Sequence, residues 1–242
     1  MPASDAIPLI RDELSVLSDL LPLEGLNIIE LGCGNARLAR QLLQAFPTSQ
    51  VTGLEVDVRQ HAKNLAGPQE RLSFVAAGAQ SIPFPDASFD LALMLKSLHH
   101  VPLAVLDQAL SEVARVLRPG GHLYVSEPVY DGPLNEIVRL FNDEGEVRAA
   151  AQAAVDRALV QGPWQQVAER RGPVVDVVPS HQRAGDPVAH RDRQPADRGG
   201  HHRRAAGLRF DGDQPERLRI AGHRNQIGRL EQGGQVRARL RR

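Results

Sequence analysis

The chain has 242 residues with 29 basic and 29 acidic side chains, so its formal net charge is zero. This length suffices for one α/β domain with a complete core. The single cysteine, Cys33, excludes an internal disulfide, and no His-Cys or Cys-Cys spacing indicates a metal site. The chain shows neither an apolar run of membrane-spanning length nor a signal-like first segment, so we expect a cytoplasmic protein without a membrane partner.

The first segments predict a helix, a buried strand and a second helix. Residues 6–21 repeat apolar side chains at helical spacing. A strand is expected at 26–31, and the next helix, at 36–46, ends before Pro47. Between strand and helix lies Glu30-Leu31-Gly32-Cys33-Gly34-Asn35-Ala36. Glycines there let a ligand touch the backbone, and N–H groups at the helix start favour polar or anionic ligand groups.

This motif resembles the first motif of class I methyltransferases that use S-adenosylmethionine, written acid-x-Gly-x-Gly-x-Gly. Ala36 stands in the last glycine place. The resemblance implies that Glu30 receives the positively charged amino end of the cofactor and that Gly32 and Gly34 admit it to the backbone. The rival interpretation is the dinucleotide fingerprint Gly-x-Gly-x-x-Gly/Ala, which needs a small residue where Arg37 stands. Cys33 is interpreted as a small residue of the cofactor loop, with a reactive thiol as the alternative.

The second strand, at 50–55, ends in an acid about twenty residues past the glycine loop. A carboxylate there can accept both ribose hydroxyls as a bidentate partner. The resemblance therefore assigns the ribose to Glu55, with Asp57 as the near alternative, and places Val56 beside the adenine. A helix is expected at 58–66.

A third strand is expected at 72–77, and residues 78–90 then resemble the type 11 branch of these methyltransferases. In that branch the usual sequence is Gly-Asp-Ala-Glu, followed by x-Leu-Pro-Phe-Pro-Asp and then by x-x-Phe-Asp. Gly78 stands where the branch has an Asp that accepts the adenine amino hydrogen. The backbone N–H of Ala79 is left to reach the adenine ring, so we expect weakened rather than abolished cofactor affinity.

The fourth strand, at 89–95, is nearly continuous apolar sequence, as in a strand buried on both faces. Ligands of open α/β sheets bind outside the carboxyl ends of the strands, so Leu95 is expected at the cofactor and residues 96–102 beside the methyl donor. His100, and less so His99, is a candidate general base because imidazole titrates near neutral pH. The alternative is a histidine that makes a structural hydrogen bond.

The later elements are a helix at 103–117, a turn at 118–121 and a fifth strand at 122–127. Glu127 ends that strand and is a second candidate to touch substrate, or else it caps the strand. The sequence of residues 132–170 predicts a helix. The resemblance implies that this region shapes the pocket for the methyl acceptor.

The composition changes near residue 171. Residues 171–242 contain 16 arginines, no lysine, 10 glycines, 5 of the 9 histidines and one aromatic residue, Phe210. Only 174–178 has a strand-like pattern, although a complete fold of this type needs two more strands. We therefore divide the chain into a methyltransferase domain at 1–170 and a low-order Arg/Gly-rich tail at 171–242. Three explanations stay open: translation in a shifted frame, native disorder, and nucleic-acid binding, which interspersed acids and missing stacking aromatics disfavour.

The sequence thus predicts a doubly wound, Rossmann-like α/β fold with a mostly parallel sheet, helices on both faces and an irregular C-terminal end. The predicted function is methyl transfer from S-adenosylmethionine to a small molecule. The alternatives are a cofactor-binding protein without turnover and, less favoured, an NAD-dependent oxidoreductase. The methyl acceptor and the oligomeric state are not determined by the sequence.

Overall fold

Seven strands form one sheet in the part of the chain that the computed structural model describes, residues 12–130, 135–136, 139–173 and 222–230. The strands are β1 (Asn27–Leu31), β2 (Gln50–Leu54), β3 (Leu72–Val75), β4 (Phe89–Leu95), β5 (Leu117–Pro128), β6 (Trp164–Pro173) and β7 (Gly222–Leu230). Their spatial order is β3-β2-β1-β4-β5-β7-β6. Neighbours among the first five strands are parallel, and β7 is antiparallel to β5 and β6. The predicted mostly parallel, doubly wound sheet is confirmed.

Among the described residues, the principal helices are α1 (Glu13–Leu20), which precedes β1, and α2 (Arg37–Ala45), α3 (Val58–Ala66), α4 (Leu106–Val116) and α5 (Gly145–Gln161), which lie between strands. Two 3-10 turns, Leu98–His100 and Leu103–Val105, lie between β4 and α4. Of the predicted N-terminal helix, residues 6–11 lie outside the described part. Asp12 caps α1 by accepting a hydrogen bond from the Ser15 backbone N–H at 2.8 Å.

The order of the strands creates a switch point beside β1. From β1 the chain winds outward to β2 and β3, then returns to β4 on the other side of β1. In open α/β sheets, ligands bind at such a switch point, outside the carboxyl ends of the strands. The glycine loop and residues 96–102 both lie at this edge.

Apolar side chains fill both faces of the sheet. On one face, Leu17 of α1 and Leu42 of α2 share a cluster with Leu91 and Leu93 of β4. On the other face, Leu110 and Val113 of α4 pack with Ala92 of the same strand. The fourth strand is thus buried on both sides, as its continuous apolar sequence predicts.

Three predicted boundaries change. The third strand is Leu72–Val75, which is shorter than the predicted 72–77. The predicted turn at 118–121 lies inside β5. There it forms an irregularity in the pairing with β4, since Phe89 pairs with Leu117 but Leu91 pairs with His122. The prediction of helix over 164–170 is wrong, since those residues belong to β6. Pairing with β7, which the local pattern does not reveal, supplies the backbone partners that keep this segment extended.

The stretch predicted as a low-order tail contributes one strand to the sheet. In β7, residues from His223 to Arg229 pair with Pro128 to His122 of β5, so the antiparallel strand that the fold requires is present at 222–230. The strand-like pattern at 174–178 lies outside the described residues. The division at residue 170 stays a prediction.

Candidate functional site

Both glycines of the loop after β1 have left-handed backbone, as does Ala36 at φ +56°. Gly32 has φ +67° and Gly34 has φ +53°. A Cβ on Gly32 would lie 2.8 Å from the Cβ of Ser97, whereas a Cβ on Gly34 would meet no atom within 4 Å. Gly32 therefore allows the loop to contact the segment after β4, and Gly34 borders open space.

Hydrogen bonds from neighbouring elements fix Gly34 in place. Its N–H donates to Glu55 Oε2 at 2.9 Å, and its carbonyl accepts from Asn64 Nδ2 at 2.7 Å. The preceding N–H, that of Cys33, donates to the carbonyl of Leu54 at 3.0 Å. The end of β2 and the helix α3 thus hold the loop before any ligand binds.

The sequence predicts that N–H groups at the start of α2 are available to a ligand. For three residues this prediction is wrong, because their N–H groups already have partners in the protein. The N–H of Gly34 is bound to Glu55, that of Ala36 to the carbonyl of Cys33 at 2.8 Å, and that of Arg37 to Asn35 Oδ1 at 3.2 Å. These three amides are thus already hydrogen-bonded, two within the turn and one to Glu55 at the end of β2. They do not form the open amide cradle that a pyrophosphate group requires.

Glu30 is a buried acid with one unused oxygen. It is 4% exposed, and its Oε2 is buried without a hydrogen-bond partner among the described residues. Burial raises the pKa of this carboxyl to about 8, against a smaller opposing effect of the Ala39 backbone N–H. Such a group is stabilised by a positively charged ligand, and so it fits the ammonium end that the sequence assigns to it.

Glu55 is also buried, at the carboxyl end of β2. Its Oε1 accepts the N–H of Asp57 at 2.8 Å and its Oε2 that of Gly34. Each oxygen keeps a second lone pair for a ribose hydroxyl. Asp57, the alternative, instead caps α3 by accepting the N–H groups of Arg59 and Gln60.

Cys33 is buried, and its Sγ would lie 2.8 Å from a Cβ on Gly53. Burial, followed by the charges of Glu30 and Glu55, raises the pKa of its thiol to about 12. The thiol therefore stays protonated near neutral pH, which favours the interpretation as a small packing residue.

The predicted adenine side of the site contains Val56, Gly78 and Ala79. Val56 is 69% exposed at the end of β2, and Ala79 is buried. A Cβ on Gly78 would come within 2.5 Å of Gln80 Oε1, so the Gln80 carboxamide fills the space of a side chain at position 78. Leu95 lies partly buried at the end of β4.

The two candidate catalytic residues differ in their surroundings. His100 is exposed, and desolvation together with the neighbouring His99 lowers the pKa of its imidazole. Glu127 is bound on both oxygens: Oε1 accepts the Leu98 N–H at 2.8 Å, and Oε2 contacts Nδ1 of His99. The structure thus pairs Glu127 with His99, which the sequence ranks below His100.

Sequence reasoning missed Ser97. It is 7% exposed, faces Gly32, and its Oγ is buried without a partner among the described residues. Its position directly after β4, at the ligand edge of the sheet, is the one signal that could have identified it.

Among the described residues, no group of three or more His, Cys, Asp or Glu side chains is arranged to hold a metal ion. No helix there has the length and apolar character needed to cross a membrane.

Comparison with known proteins assigns the central part of the chain. Residues 29–125 match the family model described as a methyltransferase domain. This match to a methyltransferase domain confirms the resemblance of the glycine loop and of residues 78–90 to S-adenosylmethionine-dependent methyltransferases.

Several methyltransferases are similar to this chain in sequence, and two of them illustrate the similarity. The fatty-acid O-methyltransferase of Mycolicibacterium smegmatis is 37% identical over 148 residues, covering 57% of this chain and 50% of that protein. The 27-O-demethylrifamycin SV methyltransferase of Amycolatopsis mediterranei is 36% identical over 119 residues, covering 46% and 42%. The chain thus spans about half the length of the curated relatives it matches.

Solved structures agree on the fold. A SAM-dependent methyltransferase from Methanosarcina mazei superimposes with a TM-score of 0.59 at 16% identity, over 89% of this chain and 97% of that chain. At this identity, the likeness concerns the fold alone.

Proposed function

We propose that the protein transfers the methyl group of S-adenosylmethionine to a small-molecule acceptor. The observation that carries this proposal is the pair of buried acids, Glu30 and Glu55, on either side of a glycine loop. Both acids interact electrostatically with the Cys33 thiol, and each contributes to its raised pKa. Glu55 and Glu30 favour a cationic ligand, because a positive charge beside Glu30 also favours the ionised form of that carboxyl.

The same geometry disfavours NAD. A dinucleotide places its pyrophosphate at open amides of a helix N-terminus. Here three of these N–H groups already donate to other protein atoms, one of them to Glu55. The sulfonium and ammonium groups of S-adenosylmethionine carry the charge that this surrounding stabilises.

In this proposal, Glu30 binds the ammonium group, Glu55 accepts the ribose hydroxyls, and Gly34 leaves room beside the loop. Ser97 Oγ is a further donor for the amino-acid end of the cofactor. The bound cofactor supplies an activated methyl group. The task of the chain is then to align the acceptor atom with that methyl group and to exclude water.

The relatives support acceptors that are small organic molecules. The two relatives described above are named for methylation of a fatty acid and of a rifamycin. Residues beyond β5 shape the acceptor side in this proposal. A cytoplasmic location and the absence of nucleic-acid partners remain predictions from the sequence.

The test is the thermal stability of the whole chain with S-adenosylhomocysteine and, separately, with NAD. A ligand present at about one hundred times its Kd adds about 2.7 kcal/mol of stability. We expect a rise in Tm with S-adenosylhomocysteine alone, and a loss of that rise in the Glu55→Ala variant. A rise with NAD alone would overturn the proposal.

Binding without turnover is the second candidate, favoured by one observation, the Gly78 position without the family's Asp. Tritium transfer from labelled S-adenosylmethionine to a broad acceptor set separates the two. Cofactor binding with no transfer to any acceptor would support this candidate.

A further inference from the structure

The side chain of Gln80 folds back over Gly78, in the segment that follows β3. A Cβ on Gly78 would lie 2.5 Å from Gln80 Oε1, 2.8 Å from Nε2 and 2.9 Å from Cδ. The carboxamide group itself therefore occupies the volume of a side chain at position 78. This is the position where the resemblance of residues 78–90 implies an aspartate that accepts the adenine amino hydrogen.

A tight turn brings Gln80 back beside Gly78. The carbonyl of Gly78 accepts the N–H of Ser81 at 3.1 Å, which closes a turn over residues 78–81. The carbonyl of Gln80 accepts a hydrogen bond from Gln108 Nε2 of α4 at 2.9 Å. The backbone at Gln80 is thus held from two sides, by its own turn and by a neighbouring helix.

Helix α4 also fixes the residues that follow the turn. The N–H of Ile82 donates to Glu112 Oε2 at 3.0 Å, and its carbonyl accepts from Arg115 Nη2 at 2.9 Å. Gln108, Glu112 and Arg115 have the four- and three-residue spacing of one helix face. The turn is therefore in place before a ligand arrives, so little ordering entropy remains to be lost on binding.

The Gln80 carboxamide keeps its own hydrogen-bonding capacity. It is partly exposed, and neither Oε1 nor Nε2 has a hydrogen-bond partner among the residues that the structure describes. A carboxamide oxygen accepts hydrogen bonds, and the NH2 group donates them. Both functions are thus available to a ligand.

The turn lies on the cofactor side of the sheet. Glu55 follows β2, and its N–H donates to the carbonyl of Val75, the last residue of β3, at 3.1 Å. Gly78 is three residues past Val75, so it lies within about 11 Å of that residue. A base whose ribose is bound at Glu55 therefore has this turn within reach.

We propose that Gln80 binds the adenine of the cofactor, with Oε1 accepting a hydrogen from the 6-amino group. This inference rests on the proposed methyltransferase function and adds a residue that determines which base the site accepts. The amide carries no charge, so its hydrogen bond contributes less than one to a carboxylate. Gln80 thus retains part of the affinity that the absent aspartate would supply.

The amide also changes the specificity for the base. A carboxylate only accepts hydrogen bonds, whereas a half-turn about the Cγ–Cδ bond of Gln80 exchanges the acceptor for a donor. The NH2 group then binds the 6-carbonyl of hypoxanthine, which a carboxylate would repel. We therefore expect this site to discriminate weakly between adenosyl and inosyl ligands.

The first measurement compares two ligands by isothermal titration calorimetry, S-adenosylhomocysteine and its analogue whose purine lacks the 6-amino group. The wild type should bind the amino compound about 3- to 10-fold more tightly, which is the effect of one neutral hydrogen bond. Gln80→Ala should lose this preference. The control Ser81→Ala, which changes an exposed side chain of the same turn and retains its backbone N–H, should keep it.

The second measurement uses Gln80→Glu, which keeps an acceptor and removes the donor. This variant should retain the preference for the 6-amino compound. It should also raise the ratio of the Kd for S-inosylhomocysteine to the Kd for S-adenosylhomocysteine by at least about 10-fold over the wild type, because the carboxylate meets the 6-carbonyl. A merely structural role of Gln80 would not move this ratio. The ligand-free Tm of each variant shows that it is folded.

Two outcomes would overturn the inference while the proposed function stands. One is an unchanged preference for the 6-amino compound in Gln80→Ala. The other is an equal ratio of inosyl to adenosyl Kd in the wild type and in Gln80→Glu. Failure of the proposed function differs from both, because the wild type would then bind none of the three ligands.

Discussion

The backbone N–H of Gly34 donates a hydrogen bond to Glu55 Oε2 at 2.9 Å, and this contact joins the two cofactor motifs of the chain. The first motif follows β1 and the second ends β2, and the parallel register of these strands brings Leu31 beside Leu54. The ligand loop is therefore preorganised by the residue that is itself proposed to bind the ribose.

We expect Glu55→Ala to weaken S-adenosylhomocysteine binding by more than the loss of the ribose contacts alone. The variant also frees the Gly34 N–H, which then lacks a partner at a partly buried site. Isothermal titration calorimetry should show at least about a 100-fold increase in Kd, since hydrogen bonds to a charged group contribute about 1.5–3 kcal/mol each.

The matched control is Asp57→Ala, which removes the cap of α3 and leaves Glu55 in place. This variant should lower Tm through the lost cap and change Kd little. A Kd for Glu55→Ala equal to that of the control would contradict the assigned role.

Glu30 should make the stability of the free protein fall as the pH rises. Its pKa is raised from 4.5 to about 8, so between these values the folded protein binds more protons than the unfolded chain. The contribution of Glu30 to stability is therefore lost progressively from about pH 4.5 to about pH 8. In Glu30→Gln this loss is absent, and urea unfolding at pH 8.5 should show a variant more stable by up to about 4 kcal/mol.

Ligand binding should couple to the same proton. Below pH 8 the free carboxyl is mostly protonated, and an ammonium group favours its ionised form. Calorimetry at pH 7 in buffers of different ionisation enthalpy should then detect proton release on binding of S-adenosylhomocysteine. Release of the same size in Glu30→Gln would rule out Glu30 as its source.

Gly32→Ala and Gly34→Ala should separate stability from binding. Both glycines have positive φ, where alanine costs about 1–2 kcal/mol. At Gly32 the added Cβ also meets Ser97 Cβ at 2.8 Å, so we expect the larger drop in Tm there. At Gly34 the Cβ projects into open space, so we expect a smaller drop in Tm and a clear loss of S-adenosylhomocysteine affinity. The reverse order of stabilities would contradict the loop geometry.

Gly78→Asp should strengthen cofactor binding, since we expect Gly78 to weaken it. A carboxylate at position 78 can accept the adenine amino hydrogen, and a hydrogen bond to a charged group contributes about 1.5–3 kcal/mol. We expect a decrease of about 10- to 100-fold in the calorimetric Kd for S-adenosylhomocysteine.

The Gln80 carboxamide must move to admit the new side chain, because it lies within 2.5 Å of the added Cβ. The double variant Gly78→Asp, Gln80→Ala removes this obstacle, and Gln80→Ala alone serves as its control. If neither Asp-containing variant binds S-adenosylhomocysteine more tightly than its Gly78 counterpart, a side chain at position 78 does not contact the adenine.

The sequence by itself determined the elements whose signal is local. The apolar run at 89–95, the glycine loop and the acid at position 55 were recognisable because burial on both faces, a left-handed turn and a strand-end carboxylate each leave a pattern within a few residues. The resemblance of residues 30–36 and 78–90 to family motifs predicted S-adenosylmethionine as the cofactor. The match of residues 29–125 to a methyltransferase domain confirms that prediction.

Only the tertiary structure decided what depends on distant partners. β6 and β7 are extended because each supplies the backbone hydrogen bonds of the other, across 48 residues that separate Pro173 from Gly222. Likewise, His99 was ranked below His100 because sequence cannot show which of two adjacent histidines meets an acid on the next strand. Burial, pairing and the unused oxygen of Glu30 are properties of packed neighbours, and no local pattern encodes them.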